Sequence, residues 1–348
     1  MEQTRSENAT HSPTVSAVII NYNTAELTKR CVDSLEESAY PITEILVVDN
    51  ASDEADQDKL TASLSHTDLH FLSENRGFAG GCNYGVRKAT GDYIFFLNSD
   101  AVIISDTVTK LVEDLKLSSV GAVVPQVRLE HDHDLIDKGI GALDELGFGW
   151  HPHHLRPVGA EEVPDETCET LWGSGCAMLV DCAVFDELGG FDEDFFMYVE
   201  DLEFCLRLQE DGWTVLYEPD SVVFHGFSQS VKQKVDYGKN SFQIYHQNIN
   251  RAKMLTKHFP LTLLAKGLPI LILSFLYWNL ILAWRDGIVQ ATRAFSCELQ
   301  YAVRGLRERE AGRNMEWTTE IQSKSFAEYV GIGLDKEDFY KTVKDDNE

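Results

Sequence analysis

At 348 residues and 43% hydrophobic content, the chain can bury one full core and still carry an appendage. Its 57 Asp and Glu against 30 Lys and Arg leave a formal net charge of -27, which speaks against nucleic acid as a partner. Such an acid excess, without acidic low-complexity tracts, matches a protein of a high-salt cytoplasm, where self-repulsion is screened; unchanged fold and activity in very dilute salt would count against that habitat.

The first thirteen residues are polar, lack the apolar stretch of a secretory signal, and are expected to be disordered. Val15 to Ile20 is a β-branched run ending in Asn21-Tyr22-Asn23, and the Leu27, Cys31, Leu35 stripe behind it predicts a helix. A second strand, Ile45 to Val48, closes on Asp49-Asn50-Ala51-Ser52, and a polar helix follows from about Ala55 to Leu64. A short strand, Leu69 to Leu72, leads into Glu74-Asn75-Arg76-Gly77-Phe78-Ala79-Gly80-Gly81-Cys82-Asn83 and a helix up to Ala89. The fourth strand is a five-residue apolar run, Tyr93 to Leu97, that stops at Asn98-Ser99-Asp100. A helix striped with Val108, Leu111, Val112 and Leu115 and a fifth strand, Val120 to Val124, come next. Strands alternating with helices predict an α/β domain with right-handed crossovers and a largely parallel sheet.

Each of the first four strands therefore ends in polar residues, and all should meet at the edge where open α/β sheets hold their ligands. Asn98 and Asp100 are two apart and leave an extended chain on one face; a carboxylate there can hold a divalent cation, and the cation a diphosphate. Gly77, Gly80 and Gly81 either let backbone approach a phosphate at a helix start or serve helix entry alone. Four such strand ends in series point to a nucleotide pocket.

Leu129 to Glu169 lacks periodicity and reads as a mobile loop over the acceptor side; the spacing of its histidines, His131, His133, His151, His153 and His154, fits no helix-borne or finger-type zinc site. Trp172-Gly173-Ser174-Gly175 precedes a strand, Cys176 to Val180, and Gly189-Gly190-Phe191-Asp192-Glu193 follows. In Tyr198-Val199-Glu200-Asp201-Leu202-Glu203 the acids fall in the first turn of a helix, where they favour its dipole. Following an aromatic cluster, Glu200 and Asp201 would also sit in a partly dry site, where one can be poised as a base. Short strands at Val215 to Tyr217 and Val222 to Phe224 lead to His225-Gly226. The seven cysteines form no C-x-x-C pair and read as reduced and buried, in a cytosolic setting.

In order, Val-Val-Asp-Asn-Ala-Ser at 47–52, Asn-Arg-Gly-Phe-Ala-Gly-Gly-Cys-Asn at 75–83, Leu-Asn-Ser-Asp at 97–100, Gly-Gly-Phe-Asp-Glu at 189–193 and Tyr-Val-Glu-Asp-Leu-Glu at 198–203 make the chain resemble family 2 glycosyltransferases of GT-A fold. The resemblance covers roughly Val15 to Ser230 and is strongest to the rhamnosyltransferase-like branch. It implies that Asp49 binds the nucleotide base, with Asn21, Tyr22 and Asn23 near base and ribose, and that Asn83, Asn98 and Ser99 belong to the donor side. It further implies that Asp100, with His225, coordinates Mg²⁺ or Mn²⁺ on the sugar diphosphate, Asn98 standing where the family's Asp-x-Asp has its first acid. Asp201 matches the catalytic base of an inverting transfer, and Trp172, Glu200 and Glu203 would lie on the acceptor side. The implied partners are a nucleotide-sugar donor (dTDP-rhamnose, or a UDP- or GDP-sugar) and a lipid-linked saccharide acceptor.

Past a polar helix at Tyr237 to His258, an apolar stretch, cleanest from Leu268 to Trp284, is 17 residues long, at the short limit for a membrane span. A basic amphipathic helix follows, with Ile288, Phe295, Leu299, Ala302 and Leu306 on one face; together they read as an in-plane or re-entrant hairpin on the cytoplasmic face of a membrane, or else as a buried helix or an oligomer contact. The resulting division is a disordered start at 1–13, a catalytic domain at 14–258 (nucleotide half 14–128, acceptor half 129–258), membrane-associating helices at 259–312 and an acidic tail at 313–348. The competing readings are a sugar nucleotidyltransferase, against which stands the lack of glycine in Asn21 to Lys29, and a silent glycan-binding scaffold, against which stand Asp49, Asp100 and Asp201 together.

Overall fold

The computed structural model describes residues 12–226 and 241–309; most of the expected disordered start, the beginning of the helix expected from Tyr237, and the acidic tail lie outside them. The first half follows the alternation of its apolar runs: β1 (Val15–Asn21), α1 (Ala25–Glu36), β2 (Ile42–Asp49), α2 (Glu54–Ser63), β3 (Asp68–Phe71), α3 (Gly77–Val86) and β4 (Tyr93–Asn98). Then come β5 (Ala101–Ile103), α4 (Thr107–Leu115), β6 (Val120–Leu129), β7 (Asp132–Lys138), the short β8 (Ala142–Leu143), β9 (Gly149–Trp150) and β10 (Cys168–Glu169), and β11 (Ala177–Asp181). The second half closes with α5 (Cys182–Glu187), α6 (Glu200–Glu210), β12 (Thr214–His225), α7 (Ser241–His258), α8 (Leu261–Asp286) and α9 (Ile288–Glu308).

The main sheet runs β10-β12-β6-β11-β4-β1-β2-β3. Strands β1, β2, β3 and β4 pair in parallel, and β11 is inserted antiparallel to both β4 and β6. β6 therefore runs with β4, and β12 runs with β6, so six of the sheet's ten strands share one direction, with β5 and β7 added antiparallel to β12 and β6. Their carboxyl ends, Asn21, Asp49, Asn98, Leu129 and His225, reach a single edge, and the loop entering β11 arrives there from the other side. Both sheet faces are covered: one core lies under α3, α5 and α6, around Phe96, Phe185, Phe191 and Phe204, and the other under α1 and α4, around Val32, Leu35, Leu111 and Leu115.

Two expectations change. The stretch 129–169 is not a bare loop: β7 adds to the edge of β6, and β8 and β9 form their own ribbon. The two short strands expected at Val215 and Val222 are one strand, β12, carrying an irregularity between Glu218 and Val222. All seven cysteines are unpaired, and Cys31, Cys82, Cys176 and Cys205 are buried.

Candidate active site

At the end of β1, the Asn21 side chain is wholly buried and satisfied by protein: its amide nitrogen reaches Asp49, Ser52 and Asp56 at 2.8, 3.0 and 2.8 Å, and its oxygen accepts from the hydroxyls of Thr24 and Thr28. Asp49 is 1% exposed, and its carboxylate accepts from Asn21, from the Ser52 N–H and from the Gln57 amide. These bonds brace the ends of β1 and β2, with Asp49, the expected base-binding residue, and Asn21, expected near base and ribose, just beneath the surface of this edge. The rim above them is formed by Tyr22, 48% exposed, and by Asn23, at φ 56°, whose side-chain oxygen accepts from Asp53 N–H. Ser99 touches the Thr24 hydroxyl at 3.1 Å, which ties the ends of β1 and β4 together beside Asn98.

Past β4, Asp100 meets His225 from the end of β12: Nε2 lies 3.2 Å from Asp100 Oδ1, while Nδ1 lies 2.7 Å from Asp137 Oδ2 on β7. A histidine held at one nitrogen by a carboxylate, with the other turned to an aspartate at a ligand-bearing sheet edge, is the arrangement that presents an imidazole to a metal ion. Burial pulls the His225 pKa down, but the Cys176 sulfur and the Asp100 and Asp137 carboxylates outweigh it and hold it well above the usual value. Among the described residues no three His, Cys, Asp or Glu side chains converge to hold an ion by themselves. Asp100, together with His225 once its Nε2 has given up its proton, would offer two donors to a hard divalent cation, with phosphate oxygens left to complete the shell.

Asp201 stands in the first turn of α6, where Gly175 N–H donates to its Oδ2 at 2.9 Å and Leu202 N–H to its Oδ1 at 2.8 Å. Burial raises its pKa above the ordinary value in spite of those bonds and of the nearby Lys138 charge. The backbone entering this turn is held in an uncommon shape: Tyr198 and Val199 have φ of 72° and 76°, a region bulky and β-branched residues avoid. Asn250 from α7 donates to the carbonyls of Met197 and Tyr198 at 3.0 and 2.7 Å and keeps that shape in place. Glu200 is 5% exposed, its Oε2 has no hydrogen-bond partner among the described residues, and burial, then Asp201, pushes its pKa well up.

Three expected site residues are placed elsewhere. Asn83 is buried, bonding Phe191 through both its oxygen and its nitrogen and reaching Glu193, so it fastens α3 to the Gly189–Glu193 turn. Trp172 is buried, with its indole N–H on the Ala142 carbonyl at 2.9 Å and its ring against His151. Glu203 is fully buried and bonded to Arg207, Lys257 and His258, far too occupied to steer an acceptor. In each case a backbone or ionic group brought in by the fold claims a polar group that the sequence leaves unassigned. The glycines of α3 serve packing: a Cβ on Gly77 would fall 1.9 Å from the Phe196 carbonyl oxygen, and one on Gly81 would press on Ile20. Conversely, no local motif marks Asp137, Lys138 or Asn250, and only β7 and α7 bring them in; Ser174, whose hydroxyl accepts from Lys138, belongs to the Trp172–Gly175 stretch.

Residues 16–189, half of the chain, match the profile described as Glycosyl transferase family 2, and residues 162–292 match Glycosyl transferase family group 2. The chain is 25% identical over 213 residues to the low-salt glycan biosynthesis hexosyltransferase Agl10 of Haloferax volcanii, covering 57% of this chain and 62% of that one. It is 27% identical over 232 residues to the O-antigen biosynthesis protein RfbC of Myxococcus xanthus, covering 63% of this chain and 18% of that one. It therefore spans less than two thirds of the length of either relative. The structure of GalNAc-T7 with UDP, GalNAc and Mn²⁺ superposes with a TM-score of 0.55 at 17% identity, over 72% of this chain and 48% of that one, a likeness of fold. The GT-A fold expected from the motifs is thereby borne out, and, since the profile covers the β1 to β11 region that builds this sheet edge, the chain belongs to glycosyl transferase family 2.

Proposed function

We propose that the protein is an inverting glycosyltransferase that moves a sugar from a nucleotide diphosphate to a saccharide hydroxyl, within the assembly of a surface glycan or the glycosylation of proteins. The observation that carries this reading is the pairing, at one sheet edge, of a donor set for a diphosphate-bound cation (Asp100, His225) with a buried, pKa-raised carboxylate (Asp201). In the reaction, the acceptor oxygen forms a bond to the anomeric carbon as the bond from that carbon to the diphosphate oxygen breaks, and Asp201 takes the hydroxyl proton. Gly175 N–H and Leu202 N–H fix the carboxylate's orientation, while burial keeps it basic enough for the proton. Asp100 and His225 would hold Mg²⁺ or Mn²⁺, which when bound neutralises charge on the leaving diphosphate. Tyr22 and Asn23 offer the exposed rim for base and ribose, above Asp49. The donor is a dTDP-, UDP- or GDP-sugar, with dTDP-rhamnose suggested by the motif resemblance.

A lipid-linked acceptor at the cytoplasmic membrane face is supported by α8. This 26-residue helix has a mean hydropathy of 1.8 in its most apolar 18-residue window, of which 11% is buried. A core helix of a soluble domain would be mostly covered; here Leu268, Leu273, Tyr277, Leu280 and Trp284 all face outward. The deciding experiment titrates nucleotide sugars with and without Mn²⁺ and then assays Asp201→Asn. The variant is expected to bind donor like the parent and to lose transfer by at least a hundredfold. Near-normal turnover by that variant rejects the base assignment.

A further inference from the structure

Lys138 ends β7 and is half-buried at the same edge, and among the described residues it makes one hydrogen bond, to the Ser174 hydroxyl at 3.2 Å, and no ion pair. Ser174 precedes Gly175, whose N–H holds Asp201; on the other side of Lys138 in the chain, Asp137 holds His225, which meets Asp100. The ammonium is thus bracketed between the two halves of the proposed machinery. An ammonium has three donors, and the described residues use one. We propose that Lys138 donates its remaining hydrogen bonds to the β-phosphate of the nucleotide sugar, adding fixed positive charge beside the cation that Asp100 and His225 would hold.

The proposal rests on the transferase reading of this site. The scissile bond must lie between the cation donors and the base, and the anionic group at that bond is the β-phosphate; a neutral acceptor hydroxyl would gain far less from a cation there. Asn98 in place of a second acid also leaves Asp100 as the only carboxylate in this strand-end motif, so a fixed protein cation supplies charge that the cation site alone delivers less firmly. Burial disfavours the charged form of Lys138, but the surrounding Cys176, Asp137, Asp201 and Asp100 outweigh it and keep the ammonium. The lysine gives up no proton in the step; it offers hydrogen bonds that strengthen as negative charge grows on the leaving oxygen.

The test is calorimetric titration of the full-length protein, Lys138→Met and Lys138→Arg with UDP, GDP and dTDP and with the corresponding monophosphates, in Mn²⁺. For whichever diphosphate the parent binds, Lys138→Met should bind about 10–100-fold more weakly, as expected for losing a charged hydrogen bond, while its monophosphate affinity stays within about twofold. Lys138→Arg should recover most of the loss, and its thermal unfolding midpoint checks that the site is folded. Unchanged diphosphate affinity in Lys138→Met, or equal losses for mono- and diphosphate, overturns the proposal and leaves the transferase reading standing. A parent that binds none of the three diphosphates removes the transferase reading and this inference with it.

Discussion

His225 is gripped from two sides, and the grip from Asp137 decides which nitrogen faces Asp100. With Nδ1 committed to Asp137 Oδ2 at 2.7 Å, the ring cannot turn without losing a buried charge-assisted bond. Asp137 itself is 2% exposed, and His154 lies 3.4 Å from its other oxygen, so it too is held. Asp137→Asn should therefore weaken Mn²⁺ binding in the presence of the nucleoside diphosphate by about 10–100-fold while sparing metal-free nucleotide binding. Calorimetry or Mn²⁺ electron paramagnetic resonance measures it, and an unaltered Mn²⁺ affinity would exclude an orienting role. Asp100, His225 and Asp201 were visible in the sequence because each terminates or opens an element with a recognisable apolar stretch beside it. Asp137 and Lys138 were invisible because the short, bulged β7 carries no such stretch.

Helix α6 presents Asp201 from its first turn and is anchored through Glu203 of the same turn. Glu203 takes a two-pronged bond from Arg207, at 3.0 and 2.9 Å, and accepts from Lys257 at 2.8 Å and His258 at 3.0 Å, both on α7. Burial would raise its pKa, but Arg207, His258 and Lys257 hold it well below the ordinary value near 4.5. A depressed folded pKa gives stability that is fully present above about pH 4.5 and is lost as pH falls through the folded value. Stability should accordingly drop on acidification below about pH 4.5, and Glu203→Gln should cost about 3–5 kcal/mol and flatten that drop, read by denaturant unfolding across pH. An equally steep acid loss in the variant would assign the effect to other carboxylates. The acids of this turn could be seen in sequence, but their division of labour could not: Asp201 faces the edge and Glu203 the interior, where Lys257 and His258 of α7 and Arg207 of α6 itself meet it.

Across the whole molecule, α7 touches α6, α9 packs back along α7, and α8 and α9 together carry an outward apolar surface. Arg251 of α7, fully buried between the Phe148 and Phe275 rings at 4.0 and 4.2 Å, ties α8 to the catalytic domain and keeps it from being a loose tail. At roughly 1.5 Å per residue the 26 residues of α8 are about 39 Å long, so the helix can lie in or cross an interface with its outward leucines and Trp284 in contact with lipid. Full-length protein should float with liposomes, and a variant with Leu273, Leu276 and Leu280 changed to Ser should float markedly less; parent protein that stays at the bottom of the gradient counts against membrane attachment.

Apolar periodicity and the polar residues that end each run were enough to determine the α/β class, the order of strands and helices in the first half, and the sheet edge on which Asp100, His225 and Asp201 meet. These properties are local: a buried strand must stop where its apolar run stops, and parallel strands must end together. Only tertiary structure decided that Asn83, Trp172 and Glu203 are spent on packing and that Asp137, Lys138 and Asn250 join the site. Whether a polar side chain is free to act depends on which distant group satisfies it first: Asn83 is met by Phe191 and Glu193, Trp172 by Ala142, and Glu203 by Lys257 and His258.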